Sequence, residues 1–124
     1  MARLMLVDDD DLLSELLQIS LEVEGHEVTL AADGAKAIAV LKAGGPPYDL
    51  VLLDLMMPGM DGLRFLRSLA GEMADLPPIV VLSAVDTPEI RNELLSAGVR
   101  AVMRKPVEPA DILVVIDKVI AGPA

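Results

Sequence analysis

The sequence predicts an α/β fold, a doubly wound parallel sheet of five strands with helices on both faces. Two observations lead to this prediction. Short, nearly all-apolar runs alternate with longer stretches of helical periodicity along the 124 residues, and such runs are typical of strands that are covered on both faces. Five successive strand–helix units with right-handed crossovers form a sheet of this kind. We expect residues 1–124 to form a single domain.

The five predicted strands are the apolar runs themselves. Only Phe65 and Tyr48 are aromatic, so the core must be built from aliphatic side chains and methionine. We assign the strands to Leu4–Val7, Val28–Ala31, Leu50–Leu53, Ile79–Leu82 and Ala101–Met103.

Helix signals fill the segments between the strands. Capping side chains precede four of the five helical stretches, proline occupies the first helical position twice, and glycine follows the ends of the first two helices. Helical spacing in the first helix is carried by Leu12, Leu13, Leu16, Leu17, Ile19, Ser20 and Val23. The first helix is expected from Asp10 or Asp11 to Gly25, and the second from Asp33 to Gly44-Gly45. The third begins at Gly62 and runs through Phe65, Leu66 and Leu69, and the fourth begins at Thr87-Pro88. The last begins at Glu108-Pro109 and runs through Ile112, Ile116, Val119 and Ile120.

Composition excludes several classes of protein. Twenty acidic and ten basic side chains give a net charge of −10, which opposes direct nucleic-acid binding because that binding depends on clustered Lys and Arg. The absence of cysteine excludes disulfides, zinc–thiolate sites and thiol nucleophiles. The longest uncharged run, Leu76–Val85, is too short to span a membrane, and the N-terminus does not have the pattern of a signal peptide. We therefore expect a soluble, cytoplasmic domain that binds no membrane.

Polar side chains follow four of the predicted strands. Asp8–Asp11 follow the first strand, Asp54 the third, Ser83 the fourth and Lys105 the fifth. Ligands of doubly wound sheets bind beyond the carboxyl ends of the strands, so these side chains should converge. Crowded carboxylates raise one another's pKa unless a cation neutralises them. Alone, an acidic run is more often a solvated helix start, but its convergence with Asp54 and Lys105 favours a site for a hard divalent ion such as Mg²⁺.

The loop Asp54–Gly62 adds a turn centred on Pro58-Gly59. With the Asp8-Asp9 pair, Ser83-Ala84 and Lys105-Pro106, it closely resembles the receiver domain of two-component response regulators, in particular the single-domain, chemotaxis-regulator-like kind. The resemblance runs from Leu4 to about Ala121. It implies a flavodoxin-like fold with five helices and strand order 2-1-3-4-5, and no output domain in this chain.

The resemblance also implies roles for individual residues in phosphoryl transfer. Asp54 would be the phosphoacceptor, a carboxylate that takes a phosphoryl group from a phosphohistidine. Lys105 would pair with this carboxylate and then with a phosphoryl oxygen, and Ser83 would donate its hydroxyl to another. Lys105-Pro106 is expected to be a cis peptide, as in the family.

A magnesium site is implied in the same place. Asp9 and Asp54 would bind Mg²⁺ directly, the Met56 backbone carbonyl would be a third protein ligand, and Asp8 would act through water. Mg²⁺ should be obligatory, because a carboxylate approaching a phosphoryl dianion in an acidic pocket would otherwise be strongly opposed.

The function implied is a phosphorylation-dependent signalling switch in a two-component phosphorelay. The phosphoryl donor would be a sensor histidine kinase or a histidine phosphotransfer protein, and the output would pass to an unknown downstream effector protein. The chain would be no enzyme beyond catalysing its own phosphorylation and dephosphorylation. We expect a monomer or a weak homodimer through the face of the fourth helix, fifth strand and last helix, where Val114 points outward.

Two positions depart from the family pattern. Many receivers have Tyr or Phe three residues before the lysine, where this chain has Val102, and Phe is common where this chain has Val107. Neither position touches phosphorus, so the departures bear on signal propagation. Our hypothesis is that Ser83 still moves and that the loop Ala84–Thr87 carries the change to the fourth helix.

Two other functions fit part of the pattern. A haloacid-dehalogenase-type phosphatase would use Asp8 as its nucleophile within the Asp8-Asp9-Asp10 run, although this leaves the Asp54–Gly62 loop unexplained. A pseudo-receiver would act as a binding module without phosphorylation. Mutation separates the phosphatase from the receiver, because a nucleophilic Asp8 predicts phosphatase turnover whereas a nucleophilic Asp54 predicts a stoichiometric phosphoprotein.

Overall fold

The sheet has the predicted architecture. The computed structural model describes residues 2–54, 65–68, 71, 76–83 and 87–121. Within them, five strands pair in parallel in the order β2-β1-β3-β4-β5, which confirms the 2-1-3-4-5 order. The strands are β1 (Arg3–Val7), β2 (Glu27–Ala31), β3 (Leu50–Asp54), β4 (Ile79–Ser83) and β5 (Ala101–Arg104), and each contains the apolar run that predicted it.

Helices lie in the expected segments. Those with described ends are α1 (Asp11–Val23), α2 (Gly34–Lys42), α4 (Pro88–Ser96) and α5 (Pro109–Ala121). Residues 65–68 are helical and belong to α3. The predicted start of α3 at Gly62, its continuation through Leu69 and the turn at Pro58-Gly59 lie outside the described residues.

Side-chain caps begin three of these helices. The Leu13 N–H donates to Asp10 Oδ1 at 3.1 Å, which decides between the two candidate caps of α1. Asp33 caps α2 in the same way, and the Thr87 hydroxyl oxygen accepts from the amide three residues later in α4. Gly25 follows α1 with a φ of +92°, a conformation that favours glycine and ends the helix.

Each face of the sheet is covered by its own helices. Along β1, Leu4 and Leu6 point to one face, and Met5 and Val7 to the other. The first face packs against α1 and α5, and the second against α2, α3 and α4. Burial on both faces explains why the three inner strands, β1, β3 and β4, are apolar at nearly every position rather than at alternate ones. No helix among the described residues has both the length and the apolar character needed to cross a bilayer.

Strand register brings the first and third strand ends together. Val7 pairs with Leu53 of β3 on one side and with Ala31 of β2 on the other. The strand order therefore reverses beside β1, which is where ligands of such sheets bind.

Candidate functional site

Three carboxylates meet at this reversal point. Asp8 directly follows β1 and Asp54 is the last residue of β3, so the Val7–Leu53 register makes the two acids neighbours. With Asp9, they can each offer an oxygen so that all three atoms lie within 4.8 Å of one another. Asp8 and Asp54 are buried and Asp9 is exposed. The convergence that the sequence predicts for these acids is confirmed.

Backbone groups hold Asp8 in place. Its N–H donates to the Ala31 carbonyl at 3.0 Å, and its Oδ1 accepts from the Asp10 N–H at 3.0 Å. Burial raises the pKa of the Asp8 carboxyl to about 6, and the neighbouring Asp54 carboxylate also raises it. The Asp10 N–H and the Lys105 ammonium act against this rise. The charged form of the Asp8 carboxyl is therefore disfavoured unless further positive charge, beyond that of Lys105, comes near.

Lys105 supplies one positive charge to the cluster. Its Nζ lies 2.8 Å from Asp54 Oδ2, and the side chains of Lys105 and Asp54 are 30% and 4% exposed. The Lys105 N–H donates to the Ser83 carbonyl at 2.8 Å, which ties the residue after β5 to the end of β4. The Lys105-Pro106 peptide bond is cis, as expected.

Ser83 ends β4, the strand next to that of Asp54. Its side chain is buried, at 1% exposure, and its register partner across the sheet is Arg104. The structure thus brings four strand ends, with Asp8, Asp54, Ser83 and Lys105, to one edge of the sheet. Met56, the expected carbonyl ligand, lies outside the described residues. The chemical roles of all these residues stay predictions.

The donor set suits a hard divalent cation. Three carboxylates face one ammonium, so the cluster carries an excess of negative charge when its acids are ionised. One oxygen from each carboxylate lies within 4.8 Å of the other two, and carboxylate oxygens are ligands that Mg²⁺ prefers, with water filling its other positions. The raised pKa of Asp8 is the expected response of such a cluster to its own charge.

An apolar groove opens beside the cluster, and the sequence gives no direct signal of it. It lies between α1 and α5, has a volume of about 500 Å³ and reaches Asp8 and Lys105 at one end. It is lined by side chains of the two helices, by Leu82 of β4 and by the segment Lys105–Val107 after β5, so it exists only in the packed fold. The hydrogen bond from the backbone N–H of Asp10 to Asp8 is a second feature that residue types do not reveal, because every residue except proline would offer the same donor there.

The family model of the response regulator receiver domain matches residues 4–117. The chain belongs to the response regulator receiver domain family. This agrees with the acid cluster, the Lys105–Asp54 pair and the strand order, and it confirms the resemblance that the motifs carried.

Several curated relatives of this chain are named response regulators. The receiver is 40% identical over 111 residues to the response regulator MprA of Mycobacterium tuberculosis, an alignment that covers 90% of this chain and 47% of that protein. The chain thus spans about half the length of the curated relatives it matches.

Solved structures of receivers superpose closely on this one. The receiver domain of the Francisella response regulator 1452 has a TM-score of 0.88 at 26% identity, covering 98% of both chains. The chemotaxis protein CheY4 of Vibrio cholerae has a TM-score of 0.85 at 28% identity, covering 96% of this chain and 98% of that one.

Proposed function

We propose that this receiver is a phosphorylation-dependent switch that accepts a phosphoryl group on Asp54 from the phosphohistidine of a sensor kinase or histidine phosphotransfer protein. The observation that carries the proposal is the 2.8 Å pair between Lys105 Nζ and the buried Asp54 Oδ2, set beside Asp8 and Asp9. A buried carboxylate held at an ammonium and next to a cation site has the surroundings that a phosphoryl acceptor needs.

The transfer is a substitution at phosphorus. An Asp54 oxygen forms the new O–P bond while the N–P bond of the phosphohistidine breaks, and the imidazole leaves with the electron pair. The Lys105 ammonium would stay close to the charge that moves onto the phosphoryl oxygens, and the Ser83 hydroxyl would donate to one of them. Mg²⁺, held by Asp9, Asp54 and Asp8, would neutralise phosphoryl charge when bound. Positioning and charge neutralisation are the main requirements of such a step.

The same arrangement supports a signalling switch rather than an enzyme that turns over a separate substrate. The receiver would catalyse only its own phosphorylation and dephosphorylation and would act on an effector protein by changing its affinity. Since a histidine kinase forms its phosphohistidine from ATP, we place the exchange in the cytoplasm.

The phosphatase alternative has less support. It needs Asp8 as the nucleophile, yet the carboxylate that lies against the Lys105 ammonium is that of Asp54. One Asp8 oxygen also accepts a hydrogen bond from the Asp10 N–H, which weakens that oxygen as a nucleophile. Family membership also favours the receiver chemistry. The pseudo-receiver alternative remains as an outcome of the experiment.

The test is incubation with acetyl phosphate, with and without Mg²⁺, followed by intact mass measurement. We expect one phosphoryl adduct that requires Mg²⁺, is absent in Asp54→Asn and persists in Asp117→Asn, an exposed acid on α5. Multiple turnover of a small phosphoester that Asp8→Asn abolishes would instead support the phosphatase. Folded protein without any adduct would support a phosphorylation-independent binding module.

A further inference from the structure

The groove between α1 and α5, which we call the α1–α5 groove, has apolar walls. Leu13, Leu16 and Leu17 of α1 line one side, and Val107 and Ile112 line the other. Its volume of about 500 Å³ lies within the range of pockets that hold small organic molecules, which are mostly apolar with a few polar groups that fix the ligand's orientation. The groove therefore has the size and the lining of a binding site for a small molecule.

Charged side chains meet the α1–α5 groove at the acid cluster. Asp8 and Lys105 are the two charged residues of the described lining, and Lys105 Nζ also lies against Asp54 Oδ2. Ser20, the other polar side chain of this lining, donates its hydroxyl to the Leu16 carbonyl within α1. The groove therefore suits a molecule with one charged end at the phosphoryl site and an aliphatic remainder.

The direction of phosphoryl transfer places such a remainder on the side of the groove. In an in-line displacement, the leaving group departs from the side of phosphorus opposite to the attacking oxygen. That oxygen belongs to Asp54, which is almost wholly buried, whereas the Lys105 side chain is partly exposed. A leaving group therefore points away from the buried carboxylate and toward the accessible side, where Lys105 lines the groove.

The chemistry of the walls selects the kind of leaving group. The Lys105 ammonium attracts phosphoryl oxygens at the charged end. The apolar walls would leave the polar atoms of a sugar, a nucleotide or a peptide backbone without hydrogen-bond partners, which is costly. An aliphatic acyl phosphate has the matching parts, since it joins a phosphoryl group to a carboxylate leaving group whose chain carries no hydrogen-bonding groups.

We propose that the α1–α5 groove binds the acyl chain of a medium-chain aliphatic acyl phosphate and makes such molecules preferred small donors of a phosphoryl group to Asp54. An Asp54 oxygen forms the new O–P bond, the bond between phosphorus and the acyl oxygen breaks, and the fatty carboxylate leaves with the electron pair. The inference rests on the proposed function, because it names a substrate class for the same site. Acetyl phosphate is too short to fill the groove, so the preference for a longer chain is a property of the groove.

The test compares acetyl, butyryl and hexanoyl phosphate as donors to the full chain at saturating Mg²⁺. The length of the chain hardly alters the reactivity of the acyl phosphate group, so differences in rate report binding of the chain. Burial of one methylene strengthens binding by about fourfold. Since the groove is open on one side, we expect the second-order rate of adduct formation, followed by intact mass, to rise by about tenfold or more from acetyl to hexanoyl phosphate.

Adipoyl phosphate is the matched control among the donors. It has the same chain length as hexanoyl phosphate but ends in a carboxylate, and an apolar groove disfavours a buried charge. We therefore expect it to lose the gain in rate that the hexanoyl chain gives.

Variants locate the surface that binds the chain. Val107→Phe adds bulk to the wall of the groove, and we expect it to bring the ratio of the hexanoyl rate to the acetyl rate close to one. Val114→Phe makes the same change at an exposed valine of α5 outside the groove lining and should keep the native ratio. Leu16→Gln and Leu12→Gln form a second matched pair on α1, since both leucines are exposed and only Leu16 lines the groove. Circular dichroism verifies that each variant folds.

Binding can also be followed without reaction. Hexylphosphonate carries an aliphatic chain but cannot transfer its phosphoryl group. In the presence of Mg²⁺, we expect it to shift the amide signals of Leu13, Leu16 and Ile112, whereas methylphosphonate should leave these signals in place because it has no chain to enter the groove.

The outcomes separate this inference from the proposed function. Equal rates from the three donors, or a chain preference that Val107→Phe and Leu16→Gln both retain, would overturn the inference while the proposed function stands. Adipoyl phosphate that reacts as fast as hexanoyl phosphate would contradict an apolar site for the chain. Folded protein that forms no adduct with any donor would overturn both.

Discussion

Lys105 Nζ lies 2.8 Å from Asp54 Oδ2, and this pair joins the residue after β5 to the last residue of β3 across the intervening strand β4. The carboxylate is almost wholly buried whereas the lysine is partly exposed, so the lysine brings positive charge from the surface into the site. Parallel strands that end at one edge of the sheet make this reach possible.

We expect Lys105→Ala to slow phosphorylation of Asp54 by acetyl phosphate by about 100-fold or more, the usual cost of removing one group that stabilises developing charge. The initial rate of adduct formation, measured by intact mass at saturating Mg²⁺, gives the result. Lys118→Ala, which removes an exposed lysine from α5, is the matched control and should react at the native rate. A native rate in Lys105→Ala would show that the ammonium takes no part.

Binding of Mg²⁺ should be visible as stabilisation. A ligand that binds only the folded state stabilises it by an amount that grows with the logarithm of the ligand concentration relative to Kd, so we expect the native midpoint of thermal unfolding to rise with added Mg²⁺. Asp9→Asn should weaken Mg²⁺ binding by about tenfold or more, because it removes a charged oxygen from the cluster. Asp117→Asn should respond as the native chain does. An Asp9→Asn titration that overlays the native one would exclude Asp9 as a ligand.

Stability should depend on pH through Asp8. Its pKa is raised from 3.8 to about 6 in the folded chain, so the folded state holds this proton more tightly than the unfolded state. The carboxyl therefore contributes stability that is full below pH 3.8 and is lost as the pH rises through about 6.

Asp8→Asn isolates this contribution, since asparagine stays neutral. In the presence of a chelator, we expect the free energy of unfolding of Asp8→Asn to increase relative to that of the native chain as the pH rises from about 4 to about 7. Urea unfolding at a series of pH values measures the difference. Saturating Mg²⁺ should reduce the gain at the upper end, and Asp117→Asn should show no such trend. A constant difference between Asp8→Asn and the native chain would contradict the raised pKa.

The sequence predicts the fold and the meeting of the acids because both follow from simple patterns. Strands buried on both faces have to be apolar at every position, as Leu50–Leu53 are, and carboxyl ends of parallel strands have to share an edge. These two rules are sufficient to predict that Asp8 and Asp54 lie close together. Lys105 and Ser83 followed by the same rule.

Two features needed the structure. The raised pKa of Asp8 depends on its burial and on hydrogen-bond distances, which residue types do not specify. The exposure of Leu12 and Ile19 could not be predicted either. Apolar residues occur on several sides of α1, and helical spacing alone does not say which side faces the sheet. The structure shows that Ser14, not these residues, lies on the buried side.

Signal propagation should reach α4 without an aromatic side chain at Val102. Val102 is buried in β5, and its carbonyl accepts from Arg91 Nη2 of α4 at 3.4 Å, so a side chain already joins the two elements. The predicted carrier, the loop Ala84–Thr87, has residues 84–86 outside the described part of the chain.

We expect beryllofluoride, a phosphoryl mimic, to shift amide signals from Thr87 through α4 as well as around Asp54. In Arg91→Ala the shifts in β5 should shrink while those of Asp8 and Asp9 remain, because the bond between α4 and β5 is lost. Shifts confined to the acid cluster in the native chain would contradict propagation to α4.

Ser14 offers a test of packing within α1. Its side chain is 4% exposed, and its Oγ has no hydrogen-bond partner among the described residues. Burying a hydroxyl without a partner opposes folding, and alanine favours helix more than serine does. We therefore expect Ser14→Ala to increase the free energy of unfolding by about 1 kcal/mol, as measured by urea denaturation.

Ser20→Ala in the same helix is the control: it makes the same gain in helix propensity but removes a hydroxyl that donates to the Leu16 carbonyl at 3.1 Å. The gain should therefore be smaller in Ser20→Ala, and equal gains would show that the buried hydroxyl of Ser14 costs nothing.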